Sequence, residues 1–234
     1  MAIGVTMDWI SGELELAFKE ENCPICVLLD EAEERFFFWF ALEGIGDGAT
    51  RDALAARGET FCRRHARRLI EAVKESGRLL SASTIARELT ERVLCSLTDV
   101  SHPLRHKRGD VASFPVTAGC TACQSLDERE ANLISIFVYN IADPDFVERY
   151  KRSFGLCLSH RAMAIATAGS KKIKKSIVSI EVDKLQELSF ALEEAIRKSR
   201  VEFSHEPKGA EMNAWQQALL KLSVYKSSNF GRGG

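Results

Sequence analysis

Apolar residues recur at three- and four-residue spacing along almost the whole chain, and the alternating pattern typical of strands is absent. This period predicts an all-α protein. Turn-forming residues interrupt the pattern at 44–48, at Gly58, at Gly77 and at Asp143-Pro144. Helices are therefore predicted at 8–20, 25–42, 50–57, 62–76, 82–99, 121–141, 144–153, 157–169, 173–204 and 208–226.

The second of these helices contains an aromatic run that is apolar on every side of a helical turn. The run consists of Phe36, Phe37, Phe38, Trp39 and Phe40. A helix of this kind is either fully buried or offers a surface to a partner. Burial in the core is the favoured interpretation.

Two short motifs occur twice, in the same order. Cys-Pro-Ile-Cys at 23–26 matches Cys-Thr-Ala-Cys at 120–123, and Phe-Cys-Arg-Arg-His at 61–65 matches Leu-Cys-Leu-Ser-His at 156–160. The spacing between the motifs differs by two residues, which is hard to produce by chance. The sequence thus predicts an internal repeat and a duplicated helical bundle.

The predicted domain order follows from this repeat. We expect a first metal-binding helical repeat at 1–100, a linker at 101–119, a second metal-binding repeat with long C-terminal helices at 120–226, and a disordered tail at 227–234.

The repeated residues have the side chains that tetrahedral Zn²⁺ prefers, namely thiolate and imidazole. Ligands three residues apart face the same side of a helix, so each CxxC and each CxxH forms a two-point clamp. Helix N-termini lower the pKa of a thiol, which helps the sulfur to bind a metal. We therefore predict two Cys₃His sites, whose ligands are Cys23, Cys26, Cys62, His65, Cys120, Cys123, Cys157 and His160.

The sequence leaves the pairing of these clamps open. In one arrangement each repeat closes its own site; in the other, clamps are exchanged between the repeats. The first is favoured, because a unit that was later duplicated is expected to have closed its site beforehand. The metal is also open: four protein ligands favour structural zinc, and an iron–sulfur cluster is the alternative.

Carboxylates near the clamps are candidates for supporting the ligands. Asp30 and Asp127 follow the second cysteine of each CxxC by four residues and fall on the ligand face of the helix. Each could accept the free N–H of a ligating histidine, or could simply be an exposed acid in the first helical turns. The neighbouring acids are predicted to face solvent: Glu31, Glu33, Glu128 and Glu130.

Composition narrows the functional classes. The net charge of −1 gives no general attraction to nucleic acid. An arginine stripe follows Cys62, formed by Arg63, Arg64, Arg67 and Arg68, but it is not repeated after Cys157, so a solvated face is favoured for it. The charged residues between Asp8 and Lys19 interrupt any apolar signal segment, and no apolar run is long enough to span a membrane. The odd count of seven cysteines also favours reduced thiols and a cytoplasmic location.

The two cysteine–histidine motifs and the Asp143-Pro144 turn together resemble a family of uncharacterised prokaryotic proteins with tandem CPxC and G-[FL]-C-x-x-H motifs. The likeness covers most of residues 20–170 and implies metal binding and a helical fold, without an activity. The chain departs from this pattern at 120–123, which lacks the usual proline, and at Thr60, where a glycine is usual. Neither departure removes a ligand.

No acid, base or nucleophile motif accompanies the two predicted sites, so enzymatic activity is not expected, although the sequence does not settle it. The leading hypothesis is a metal-stabilised helical protein that acts as an interaction or accessory subunit, with a protein partner or a second copy of itself. An iron–sulfur or redox subunit is the second hypothesis. A nucleic-acid-binding module is the third.

Overall fold

The computed structural model describes residues 2–44, 47–50, 60–101, 119–203 and 205–224, and within these ranges the chain is helical, with no strand. The α-helices whose bounds lie in these ranges are α1 (Ala2–Ala17), α2 (Pro24–Trp39), α3 (Arg63–Ser76), α4 (Leu79–Ser101), α5 (Thr121–Asn140), α6 (Pro144–Arg152), α7 (Leu158–Thr167), α8 (Lys171–Lys198) and α9 (Ala214–Lys221). Short π and 3₁₀ segments lie at Phe40–Gly44, Val201–Phe203 and Ala210–Asn213.

The expectation of an all-α chain is confirmed for these residues, and most boundaries lie within a few residues of the predicted ones. The capping chemistry explains several of them: Asp143 accepts a hydrogen bond from the N–H of Asp145 at 3.0 Å, and Pro144 occupies the first position of α6. The predicted helix at 50–57, most of the predicted linker and the predicted tail lie outside the described residues.

The chain divides into two compact units. Unit 1 combines Met1–Glu31 with Glu128–Gly234, and unit 2 is Ala32–Asp127. These units differ from the predicted domains, which followed one another along the chain. The boundaries of the units fall inside α2 and α5, so each of these helices supplies residues to both.

The core of unit 1 is formed by α1, the start of α2 and helices α5 to α8. Four aromatic rings are packed together in it, with the Phe137 and Tyr150 centroids 4.9 Å apart and those of Phe18 and Phe146 5.1 Å apart. Cys23 and Cys157 belong to the same apolar cluster and are completely buried. Packing therefore brings the first CxxC beside the second CxxH.

A buried polar group holds the loop that leads to Cys157. The Glu181 carboxylate accepts hydrogen bonds from the Tyr150 hydroxyl and from the N–H of Leu156, the latter at 2.9 Å, and pairs with the Lys221 ammonium, also at 2.9 Å. Gly155 lies against this pair with φ +83°, and a Cβ there would come within 2.6 Å of Glu181 Oε1. Glycine is needed at this position for both reasons.

Unit 2 has a smaller core among its described residues. Its buried hydrophobic cluster consists of Phe40, Ala41, Val73 and Ile85, with partly buried neighbours that include Phe36 and Phe61. The Phe40 ring packs edge-on against Phe61, with centroids 5.3 Å apart.

The aromatic run of α2 is only partly buried, so the prediction of a wholly buried helix is wrong. Phe37 and Phe40 are 2% exposed, whereas Phe38 is 68% and Trp39 46% exposed. The helix does not continue regularly to residue 42, because it widens into a π-helix at Phe40–Gly44. There the Trp39 and Phe40 rings lie so close to Gly44 that a Cβ would be 3.0 to 3.1 Å from them.

Candidate metal centres

Each of the four motifs lies at the start of a helix. Cys23 and Cys120 immediately precede α2 and α5, and Cys62 and Cys157 are the N-cap residues of α3 and α7. The two N-cap cysteines have nearly the same backbone conformation, with φ −66° and ψ 165° for Cys62 and φ −70° and ψ 172° for Cys157. The second ligand of each motif follows in the first helical turn. Every clamp thus lies at the N-terminus of a helix, where the partial positive charge stabilises thiolates.

The described residues include two groups of four ligands that could hold a metal ion, with the ligand atoms of each group within 4.8 Å of one another. Site 1 consists of Cys23, Cys26, Cys157 and His160, and lies within unit 1. Its Cys26 and Cys157 sulfurs are 3.8 Å apart. The Nδ1 atom of His160 is 3.4 Å from the sulfurs of Cys23 and Cys26 and 3.2 Å from that of Cys157.

Site 2 consists of Cys62, His65, Cys120 and Cys123, and lies within unit 2. The sulfurs of Cys62 and Cys123 are 3.9 Å apart, and His65 Nδ1 is 3.2 to 3.4 Å from the three sulfurs. Two backbone hydrogen bonds between Thr60 and the 119–121 segment, at 3.3 and 3.1 Å, join the clamps just outside the site.

These groups correct the favoured pairing. The first CxxC meets the second CxxH, and the second CxxC meets the first CxxH, so the clamps are exchanged between the predicted repeats. Local sequence could not decide this, because the two clamps of each kind have the same spacing and the same helix-start geometry. The choice is made by packing at long range, where Cys23 and Cys157 join one apolar core.

A buried glutamate lies at the outer nitrogen of each histidine. At site 1, Glu130 Oε1 is 2.9 Å from His160 Nε2, and both side chains are almost fully buried. At site 2, Glu33 Oε1 is 3.2 Å from His65 Nε2, without the alignment of a hydrogen bond, and the other Glu33 oxygen accepts a 2.7 Å bond from Arg64. A carboxylate at this nitrogen orients the ring and makes it a better metal ligand.

The expectation that Glu33 and Glu130 face solvent is therefore wrong, since both are buried. They, rather than Asp30 and Asp127, are the carboxylates at the histidine nitrogens. Asp30 is exposed, while Asp127 is half-buried and acts on His65 through its charge. A signal for the glutamates was available in the sequence, because Glu33 and Glu130 both lie seven residues after the second cysteine of a CxxC motif.

Hydrogen bonding separates the pKa values of the ligands in site 1. Hydrogen bonds from Cys23 and Cys26 hold the pKa of the Cys157 thiol well below its usual range. The hydrogen bond between Cys26 and Cys157 in turn raises the pKa of Cys26. Burial alone would lower the pKa of His160, but its bonds to Cys157, Cys23 and Glu130 outweigh this effect and raise the pKa to about 11.

The pKa values of the site 2 ligands differ from those of site 1 mainly at the histidine. Burial lowers the pKa of His65 and outweighs the opposing charge of Glu33. The pKa of Cys62 is also lowered: burial opposes this, but the nearby backbone N–H of His65 and the thiols of Cys123 and Cys120 together outweigh it. Burial raises the pKa of Cys123. A thiolate at the helix start and a neutral imidazole are the forms that bind metal.

Comparison with known proteins identifies the family. The model of a family of unknown function, DUF6062, matches residues 14–228, and the chain belongs to this family. A relative described as an uncharacterized 23.9 kDa protein in the xynA 3′ region of Caldicellulosiruptor sp. (strain Rt8B.4) is 24% identical over 204 residues, covering 86% of this chain and 95% of the relative. No solved structure matches the chain. Among the described helices, none combines the length and the apolar character needed to cross a membrane.

Proposed function

We propose that this chain binds two zinc ions, one in each Cys₃His group, and uses them to hold together a duplicated helical protein that acts through protein contacts. The observation that supports it is the convergence of four ligand atoms in each group, all within 4.8 Å of one another. The ligand types and their reduced state fit a protein of the cytoplasm, where thiols stay free.

The distances favour a single ion in each site. Tetrahedral zinc, with bonds of about 2.3 Å to sulfur and about 2.0 Å to nitrogen, places two sulfurs about 3.8 Å apart and sulfur about 3.5 Å from nitrogen. The Cys26 and Cys157 sulfurs of site 1 are 3.8 Å apart and the corresponding pair of site 2 is 3.9 Å apart, with sulfur–nitrogen distances of 3.2 to 3.4 Å. An iron–sulfur cluster distributes its ligands over more than one iron and needs a wider spacing.

A structural role follows from the coordination. Four protein ligands complete a tetrahedral zinc and leave no position for water or substrate, which is the arrangement of structural rather than hydrolytic sites. The role proposed is therefore one of binding and not of catalysis.

Exposed apolar side chains support a role in protein contacts. In unit 1, the C-terminal helix α9 and the residue after it present Trp215, Leu219 and Leu222 at helical spacing, each more than half exposed. In unit 2, a cavity of about 450 Å³ beside α2 and α3 is lined by apolar side chains that include Phe37 and Phe38 and by charged ones that include Glu34 and Arg68. Apolar surface of this kind is typical of sites that bind a protein or a second copy of the same chain.

Metal analysis tests the proposal directly. Protein purified without oxygen should be colourless and contain two zinc ions per chain, and Co²⁺ should replace them with the intense absorption of tetrahedral cobalt thiolate. Cys23→Ser should retain one ion. Cys95→Ser, which changes the cysteine outside both motifs, is the control and should retain two. A brown protein with iron and sulfide, or a protein that binds no metal through these cysteines, would contradict the proposal.

A further inference from the structure

The two sites differ in how well their sulfurs are protected. In site 1, Cys23 and Cys157 are completely buried, and Cys26 alone is partly exposed. In site 2, all three cysteines are partly exposed. A dissolved reagent therefore meets one partly exposed cysteine at site 1 and three at site 2.

In the described part of the chain, the packing around the sulfurs also protects site 1 better than site 2. Site 1 lies in a large apolar cluster, to which Cys23 and Cys157 themselves belong. Among the described residues of unit 2, the buried apolar cluster is formed by Phe40, Ala41, Val73 and Ile85, and none of the ligands of site 2 belongs to it. Opening site 1 consequently disturbs a cluster that contains two of its own ligands, whereas the described cluster of unit 2 contains none of the ligands of site 2.

The charges next to the clamps also differ. Cys62 is followed by the exposed Arg63 and Arg64, whereas Cys157 is followed by Leu158 and by the buried Ser159. Cations beside a thiolate stabilise it, but this does not separate the two sites, because Arg64 is paired with Glu33 and hydrogen bonds stabilise the Cys157 thiolate of site 1.

From the differences in exposure and in packing we propose that site 2 is an oxidant-sensitive site, at which a hydroperoxide converts two cysteines to a disulfide and releases the metal, while site 1 keeps its ion. The inference rests on the proposed function, because it requires both sites to be loaded with zinc. The oxidant proposed is a small peroxide, of which hydrogen peroxide is the simplest member.

The chemistry takes two steps. The Cys62 thiolate attacks one oxygen of hydrogen peroxide; the O–O bond breaks, an S–O bond forms, and the departing hydroxide takes a proton to become water. The Cys123 thiolate, 3.9 Å away, then attacks the oxidised sulfur; an S–S bond forms, the S–O bond breaks, and the second hydroxide leaves as water after taking a second proton. The sulfurs lose two electrons, the peroxide gains them, and zinc leaves as Zn²⁺.

The distance between sulfurs does not by itself favour site 2, since Cys26 and Cys157 in site 1 are 3.8 Å apart. Exposure and packing make the difference. Release from site 2 should be about threefold faster or more, because it has three partly exposed cysteines against one.

The test uses the full chain loaded with two zinc ions. Dilute hydrogen peroxide is added in the presence of a chromogenic zinc chelator, and samples are alkylated and mapped by mass spectrometry. One ion should be released before the other, with the first disulfide formed among Cys62, Cys120 and Cys123. Dithiothreitol and added zinc should restore the original content.

Two single-site variants provide matched controls. Cys23→Ser, which leaves only site 2, should release zinc at the fast rate, and Cys123→Ser, which leaves only site 1, at the slow rate. If a variant does not fold, mapping of the wild-type protein still decides between the sites. Simultaneous release from both sites, earlier oxidation of site 1, or no release at all would overturn the inference. Absence of zinc before peroxide is added would instead refute the proposed function.

Discussion

Replacing Glu130 by glutamine tests whether the buried carboxylate supports site 1. The substitution keeps the size of the side chain and one acceptor oxygen, but removes the charge that lies 2.9 Å from His160 Nε2. Outer carboxylates of this type contribute about 10- to 100-fold to metal affinity, or about 1.4 to 2.7 kcal/mol. Because Glu130 is only 3% exposed, water cannot replace the lost interaction, and we expect the effect to lie toward the upper end of this range.

The equivalent substitution at site 2, Glu33→Gln, should reduce zinc affinity by a smaller factor. Glu33 is not aligned for a hydrogen bond with His65, and Arg64 already shares its charge. Glu33→Gln should therefore lower zinc affinity toward the lower end, about 10-fold. The matched control is Glu128→Gln, an exposed change on the same helix as Glu130.

The assay is a competition titration of the zinc-loaded protein against a chelator of known affinity, with the two ions assigned by mass spectrometry. Glu130→Gln should reduce zinc affinity most and Glu33→Gln less, and Glu128→Gln should leave it unchanged. If Glu130→Gln bound zinc as tightly as the wild type, the outer carboxylate would have no role in holding the metal.

Three further predictions follow. Cys23→Ser combined with His160→Ala should lose one zinc equivalent, whereas Cys23→Ser combined with His65→Ala should lose two; the reverse result would restore the unexchanged pairing. Between about pH 7 and 9, zinc affinity should rise with pH more steeply at site 1 than at site 2, by about one further factor of ten per pH unit. The reason is that zinc must displace a proton from His160, whose pKa is raised to about 11, but not from His65, whose pKa is lowered. Equal slopes in chelator titrations of single-site variants would contradict this. Gly155→Ala should lower stability to urea by about 2 kcal/mol or more, since φ is +83° and the new Cβ meets a buried ion pair, while Gly169→Ala, which has open space around it, should not.

The helical architecture could be predicted because it depends on local patterns. Three- and four-residue spacing of apolar groups and the Asp143-Pro144 start of α6 are properties of short segments, and the structure follows them. The π-helix at Phe40–Gly44 could not be predicted in this way. It is accompanied by close packing of the Trp39 ring against Gly44, a contact that periodicity does not record.

The candidate sites show the same limit. Spacing alone indicated which residues form clamps, since CxxC and CxxH place two ligands on one helix face. It could not say which clamps meet, because their geometry is duplicated. The burial of Glu33 and Glu130 was missed for a related reason: each glutamate lies on the helix that begins one site and contacts the histidine of the other. The shared position of the two glutamates marks them in the sequence, but the histidine that each one contacts can be named only once the exchange is known.

The exchange of clamps also has a consequence for synthesis of the chain. The ligands of site 2 span 61 residues from Cys62 to Cys123 and are nested inside the 137-residue span from Cys23 to His160. On a growing chain, the inner site can close while the outer one still lacks half of its ligands. Prior closure of the inner loop shortens the outer one to about 76 residues, which lowers its closure cost by only about 0.5 kcal/mol. The order in which the ligand sets become complete is thus fixed by the ribosome, yet neither site depends much on the other for its loop entropy.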